Sequence, residues 1–160
     1  MLEQLKKFDI FSGMDENDLQ KIAGICVVEK LPKGVQVFKT GDPAEYLFMV
    51  NKGKIELRFN ISYHNMSTEI SLDEVFEGNT FGWSALTHPF RYTLSAFTAE
   101  DSELVQIKES DIKKICQENN RLGYTLMNNI AKIIGQRFSA IQGILIQEIQ
   151  QSLKQKERLS

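Results

Sequence analysis

The residues best suited to chemistry lie between Gly78 and Ala96, in the run Gly-Asn-Thr-Phe-Gly-Trp-Ser-Ala-Leu-Thr-His-Pro-Phe-Arg-Tyr-Thr-Leu-Ser-Ala. A glycine and small residues precede an apolar turn, then a loop, then a strand that opens with Arg91 and Thr93. Such a run can cradle an anion. Gly82 lets the backbone approach a ligand closely. A short helix begun at Trp83, Ser84 and Ala85 points free N–H groups at a phosphate. Arg91 can supply the charge and Thr93 a hydroxyl. Tyr92 faces away from Arg91 if the strand is regular, so only one of the two points inward. The plainer alternative is a connecting turn packed by Phe81, Trp83 and Leu86.

Other chemistry is missing from the sequence. Its two histidines, His64 and His88, are far apart, and no Cys or His pair has zinc spacing. There is no Gly-x-Ser-x-Gly and no Gly-x-x-x-x-Gly-Lys-Ser/Thr. His88 beside Pro89 reads as a solvated loop residue. The expectation is a protein with no metal, no cofactor and no catalytic residues. Cys26 and Cys116 read as reduced, half-buried thiols rather than a disulfide.

Three zones must position the candidate segment. Residues 1–25 read as helical: Asp15 can cap a helix whose Leu19, Ile22 and Ala23 share a face. Leu5 and Phe8 mark a shorter helical piece before it. Residues 26–108 read as all-β, with turn signals at Pro32-Lys33-Gly34, Gly41-Asp42-Pro43, Lys52-Gly53, His64-Asn65 and Gly78-Asn79. Ile55, Leu57, Phe59 and Ile61 alternate with polar residues, as do Met66, Thr68, Ile70 and Leu72. Joined across Ser62–Asn65, the two runs make a hairpin with one wet face. Tyr46 to Val50 is apolar at every second position on both faces, which predicts a strand buried on both sides. Short strands at this spacing mean a sandwich, jelly roll or barrel.

Residues 109–156 switch to helical period. Ser110 and Asp111 can cap a short helix ending near Glu118. A long helix then starts near Asn120, with an apolar stripe Met127, Ile130, Ile134, Phe138, Ile141, Leu145 and Ile149. A small β-domain covers only part of such a helix, so Ile141 to Ile149 face water in a monomer. A two-fold homodimer of the same stripes is the simplest solution; folding back onto its own domain is the alternative. The tail at 157–160 is expected to fray. Residues 1–118 thus form the body and 119–156 a helix belonging to the same unit.

The chain has 160 residues, 42% hydrophobic and 25% charged, with a formal net charge of −2. These values fit one globular domain and exclude wholesale disorder. Residues 1–118 hold 13 Lys and Arg against 19 Asp and Glu, and residues 119–160 hold 6 against 2. Neither part carries a basic cluster dense enough to predict nucleic-acid binding. No run approaches the ~20 apolar residues of a membrane helix, and Met1 to Lys7 lack a secretory core; a cytoplasmic protein is expected.

The chain resembles the cyclic nucleotide-binding domain of bacterial catabolite-activator and kinase-regulatory proteins, over about residues 8–140. One part of the match is Leu31-Pro32-Lys33-Gly34-Val35, Phe38, Gly41-Asp42-Pro43 and Tyr46-Leu47-Phe48-Met49-Val50-x-x-Gly53-Lys54-Ile55. The other is Phe81-Gly82-x-x-Ala85-Leu86, then Pro89 and Thr93-Leu94-x-Ala96, similar to the family's phosphate-binding cassette. The resemblance implies a mainly β fold: an eight-stranded, jelly-roll-like β-roll with N-terminal helices and a long C-terminal helix that dimerises and covers the ligand. It implies binding without a chemical step, with cyclic AMP the first ligand and cyclic GMP the second. The binding residues implied are Phe81, Gly82, Trp83, Ser84, Ala85, Leu86, Arg91, Tyr92 and Thr93, and Tyr124 and Met127 of the long helix are expected near the sugar or base.

The sequence departs from the family pattern at two positions. The family's Phe-Gly-Glu uses its Glu on the ribose 2′-hydroxyl, and Trp83 stands there instead. Losing a charged hydrogen bond costs about 1.5–3 kcal/mol, or roughly 10–100-fold in affinity. The family's arginine lies three residues before the cassette Thr, which is Phe90 here, with Arg91 one position later. Either a loop shift brings Arg91 to the phosphate, or Ser95 takes the hydroxyl role in a slipped register, or the phosphate has no arginine. Two functions follow. One is a stand-alone sensor that signals through its long helix to a protein partner, since the residues after that helix leave no room for a DNA-binding module. The other is a degenerate domain that binds no nucleotide and serves in dimerisation or protein docking.

Overall fold

The computed structural model describes residues 1–160. The chain enters through α1 (Leu2–Leu5), a 3-10 turn at Asp9–Phe11 and α2 (Glu16–Ala23). Asp15 caps α2 as the sequence predicts, its carboxylate accepting the Asp18 N–H at 2.8 Å.

Eight strands follow: β1 (Cys26–Leu31), β2 (Gln36–Phe38), β3 (Tyr46–Lys52), β4 (Ile55–Tyr63), β5 (Met66–Val75), β6 (Thr80–Phe81), β7 (Ser95–Thr98) and β8 (Ser102–Lys108). They pair antiparallel in two four-stranded sheets, ordered β1-β8-β3-β6 and β2-β7-β4-β5. This is the eight-stranded roll with flanking helices that the sequence implies. β3 sits between two apolar bodies, which explains its unbroken apolar run. Leu47 and Met49 face a helical core shared with Phe8, Ile22, Leu122 and Leu126. Phe48 and Val50 face the roll interior with Phe38, Ile55, Phe81 and Leu104.

β4 and β5 form the expected hairpin, turning at His64 and Asn65, with Phe59 opposite Ile70 and Tyr63 opposite Met66. Its apolar face is dry only near the roll. Leu57 is buried, but Phe59, Ile61, Tyr63, Met66 and Ile70 are exposed. The alternation therefore marks a face that nothing in this chain covers along its outer half.

α3 (Glu109–Glu118) starts slightly before the expected Ser110 and Asp111 cap, with Lys108 at the cap position. α4 (Asn120–Leu159) is a continuous helix of 40 residues, about 60 Å at 1.5 Å per residue. The helix runs on through Leu159, into the tail expected to fray at 157–160, and Lys156 and Arg158 in the last turn oppose the negative end of the helix dipole. The first half of α4 is anchored. Leu122, Leu126, Ile130 and Ile133 are buried. Asn129 Nδ2 donates to the carbonyls of Ile10 and Ser12, both at 2.8 Å. Arg121 Nη2 reaches the buried Asp18 carboxylate at 2.7 Å. Beyond Ile133 the helix leaves the body, and Phe138, Ile141, Ile144, Leu145 and Ile149 are 38–60% exposed. No helix is long and apolar enough to cross a membrane.

Candidate functional site

The cassette begins at the end of β6. Phe48 pairs with Phe81 across the β3–β6 ladder, and Phe81 is fully buried with its ring stacked on Phe48 at 5.2 Å. Phe81 is thus an anchor in the core. Gly82 follows with φ +73°, and a Cβ there would sit 3.0 Å from the Phe48 ring, so this corner suits glycine. A 3-10 turn at Trp83–Ala85 comes next, closed by the Ala85 N–H on the Gly82 carbonyl. Ala85 packs into the roll interior. Leu86 points the other way, into a groove between α3 and α4 that Tyr124 and Met127 also line.

A small cavity of about 40 Å³ lies behind this turn. Gly82, Ser84, Thr93 and Arg137 line it, with Phe38, Leu57, Trp83, Tyr92 and Leu94 as apolar walls. It adjoins a groove of about 360 Å³ between the β4–β5 hairpin and α4, with which it shares Leu57, Trp83, Thr93, Leu94 and Arg137. Phe59, Leu72 and Asp73 of the hairpin and Ile134, Phe138 and Ile141 of α4 complete that groove.

Of the residues expected to bind, Gly82, Trp83, Ser84, Tyr92 and Thr93 come together here, while Phe81, Ala85, Leu86 and Arg91 do not line the cavity. Arg91 needs a physical reason. The expected strand does not begin there: β7 starts at Ser95, and Arg91 makes only an isolated bridge with Pro43. Tyr92 turns inward, its ring stacked on Phe38 at 3.7 Å and its hydroxyl donating to the Tyr46 carbonyl at 2.8 Å. With Tyr92 inside, Arg91 points outward, where Nη1 donates to the Gly41 carbonyl at 2.7 Å. Ser95 is no substitute for Thr93, because its hydroxyl accepts the Thr40 N–H at 3.0 Å. Tyr124 and Met127 also miss the cassette; they line the α3–α4 groove on another side of the helix.

The cation at the cavity is Arg137 of α4, which the sequence reading passed over. Its side chain is 17% exposed. Nη2 donates to the Thr80 carbonyl at 2.8 Å, Nε lies 3.8 Å from Asp73, and the guanidinium lies 4.7 Å from the centre of the Trp83 ring. Nη1 is buried without a partner. Burial pulls the Arg137 pKa below its ordinary value, against the opposing pull of Asp73 and Asp9. Hydrogen bonds back the Thr80 corner. Asp9 accepts from the Thr80 hydroxyl and, at 3.3 Å, from Asn79 Nδ2. Its signal in the sequence was position: Ile130, Ile134, Arg137 and Ile141 step by four, three and four, which puts Arg137 on the apolar face.

Comparison with known proteins agrees with this fold. A family model described as the cyclic nucleotide-binding domain matches residues 28–119. The chain is similar to glutaminase 1 of Bradyrhizobium diazoefficiens, 21% identical over 134 residues, covering 84% of this chain and 21% of that protein. It is also similar to the cAMP-dependent protein kinase regulatory subunit of Neurospora crassa, 27% identical over 110 residues, covering 62% of this chain and 28% of that protein. The chain therefore spans only about a quarter of the length of these curated relatives. Among solved structures, a cyclic nucleotide-binding domain from Methylobacillus flagellatus superposes with a TM-score of 0.79 over 92% of this chain and 81% of its own. At 15% identity that is a likeness of fold.

Proposed function

The chain belongs to the cyclic nucleotide-binding domain family, and from that premise we propose that it is a regulatory sensor domain that takes a cyclic nucleotide beneath α4. Cyclic AMP is the first ligand and cyclic GMP the second. The observation that carries the reading is the convergence of Gly82, Ser84, Thr93 and a buried cation on one cavity that opens into an apolar groove. The phosphate occupies the cavity, and the sugar and base lie in the groove between Leu57, Phe59 and Leu72 on one side and Ile134, Phe138 and Ile141 on the other.

Size sets the mechanism. Sites for small organic ligands usually enclose about 300–1,000 Å³, and the cavity holds about 40 Å³. The cavity therefore takes the phosphate alone and the adjoining groove of about 360 Å³ takes the rest, and because α4 beyond Ile133 walls both, binding is coupled to the position of that half of the helix. The affinity difference between two helix positions is what carries the signal. The output passes through the exposed stripe from Phe138 to Ile149, which pairs with a second copy about a two-fold axis or meets a protein partner. No chemical step belongs to this reading.

One observation favours the second reading, a domain that binds no nucleotide: the cavity is only about 40 Å³, and Arg137 lies over the Trp83 ring at its wall. Calorimetric titration with cyclic AMP and cyclic GMP separates the two. Saturable micromolar binding is the expected result. Absence of heat with either nucleotide at millimolar concentration contradicts the sensor and leaves the docking module.

A further inference from the structure

We propose that Arg137, carried on α4, supplies the positive charge that holds a phosphate group in the cassette, so that anion capture and the position of the helix are one event. This rests on the reading that the ligand's phosphate enters the cavity at Gly82, Ser84 and Thr93. A phosphate removed from water is costly unless a cation pairs with it. Arg91 cannot serve, because it points outward onto the Gly41 carbonyl. Arg137 is the one cationic side chain lining the cavity.

Its present contacts leave room for an acceptor. Nη2 is on the Thr80 carbonyl, Nε faces Asp73 at 3.8 Å, and one face of the guanidinium covers Trp83. Asp9, the other nearby carboxylate, is engaged by Thr80 and Asn79. Nη1 remains buried and unpartnered. Arginine keeps its proton, so this donor stays unsatisfied until an acceptor arrives. A phosphate oxygen between Nη1 and the Ser84 and Thr93 hydroxyls meets that need.

Position gives the contact its consequence. Ile133 is the last buried residue of α4, and Arg137 lies one turn beyond it, where the unanchored half begins. An anion that grips Arg137 ties that half to the cassette. It also changes the cation that lies over Trp83, the chain's one tryptophan, so Trp83 fluorescence reports the event.

The test titrates the full chain and its Arg137→Met, Arg137→Lys and Arg91→Ala variants with cyclic AMP, cyclic GMP, inorganic phosphate and adenosine. Calorimetry and Trp83 fluorescence are followed, and circular dichroism checks folding. The expected result is nucleotide binding that Arg137→Met weakens roughly 10–100-fold, with Arg91→Ala unchanged and adenosine binding equally to wild type and variant. Arg137→Lys keeps the charge but loses the fork; it is expected to bind more weakly than wild type, and it carries the test if Arg137→Met does not fold. Wild-type affinity in both Arg137 variants, loss in Arg91→Ala, or equal losses for adenosine and cyclic AMP would overturn the proposal while leaving the sensor intact. Arg137-dependent binding of phosphate alone would support it and remove the nucleotide. No response of wild type to any of the phosphates would overturn both.

Discussion

The Arg137 guanidinium lies 4.7 Å from the centre of the Trp83 ring. Through this pair the free half of α4 touches the turn after β6. A partly desolvated cation over an indole contributes about 0.5–2 kcal/mol. Trp83→Leu should lower stability by about that amount and make the amides of α4 beyond Ile133 exchange faster with deuterium. Unchanged exchange there would mean that the contact does not hold the helix.

Much of the fold was legible because single residues carried unambiguous physics. The Asp15 cap, the doubly apolar β3 and the His64-Asn65 turn each follow from local rules, and the structure places each one. The site was only half legible. Gly82, Ser84 and Thr93 are contributed by one segment, so a contiguous motif reveals them. Arg137 comes from α4, remote in sequence, and a helix read for its apolar stripe hides a cation set within that stripe. Arg91 misled for the opposite reason. Spacing along a regular strand would leave Arg91 free to point inward, but the chain from Arg91 to Leu94 is irregular and Tyr92 takes the inward position.

The two halves of α4 should respond differently to truncation. Leu126 is buried between the sheet and the N-terminal helices, so Leu126→Ala should cost about 2–5 kcal/mol of stability. Leu145 is exposed, so Leu145→Lys should leave the fold intact and abolish self-association. Sedimentation velocity across a concentration series checks the second claim. A variant that sediments like wild type would contradict self-association through α4.

Stability should fall in alkali. Burial pushes the Tyr92 phenol and the Cys26 thiol up to about 12, from ordinary values of 10.0 and 9.0. Below pH 9 both groups are neutral whether folded or unfolded, and their contribution is fully present. Above the ordinary values the unfolded chain ionises first and binds fewer protons, so stability drops until about pH 12. Thermal melts from pH 8 to 12 should show this decline, and Tyr92→Phe should flatten its upper part. The same burial should make Cys26 slow to react with thiol reagents at pH 8.

Gly53 turns the chain from β3 to β4 with φ +90°, and a Cβ there would lie 2.7 Å from the Asp101 carbonyl oxygen. Backbone cannot yield as a flexible side chain can. Gly53→Ala should therefore destabilise by more than the ~1–2 kcal/mol of left-handed strain alone. Gly34 has φ +86° and open space around it, so Gly34→Ala should show the strain without the clash. Equal melting temperatures for the two variants would contradict this.

The most direct test of ligand capture beneath α4 uses the single tryptophan as a built-in probe. One indole N–H resonance, that of Trp83, is followed by nuclear magnetic resonance while cyclic AMP is added to the full chain. A saturable shift of that resonance, accompanied by shifts in the amides of Gly82, Thr93 and Arg137, is the expected result. An indole resonance that stays in place at millimolar cyclic AMP and cyclic GMP would contradict the account and leave the cassette a packed corner of the fold.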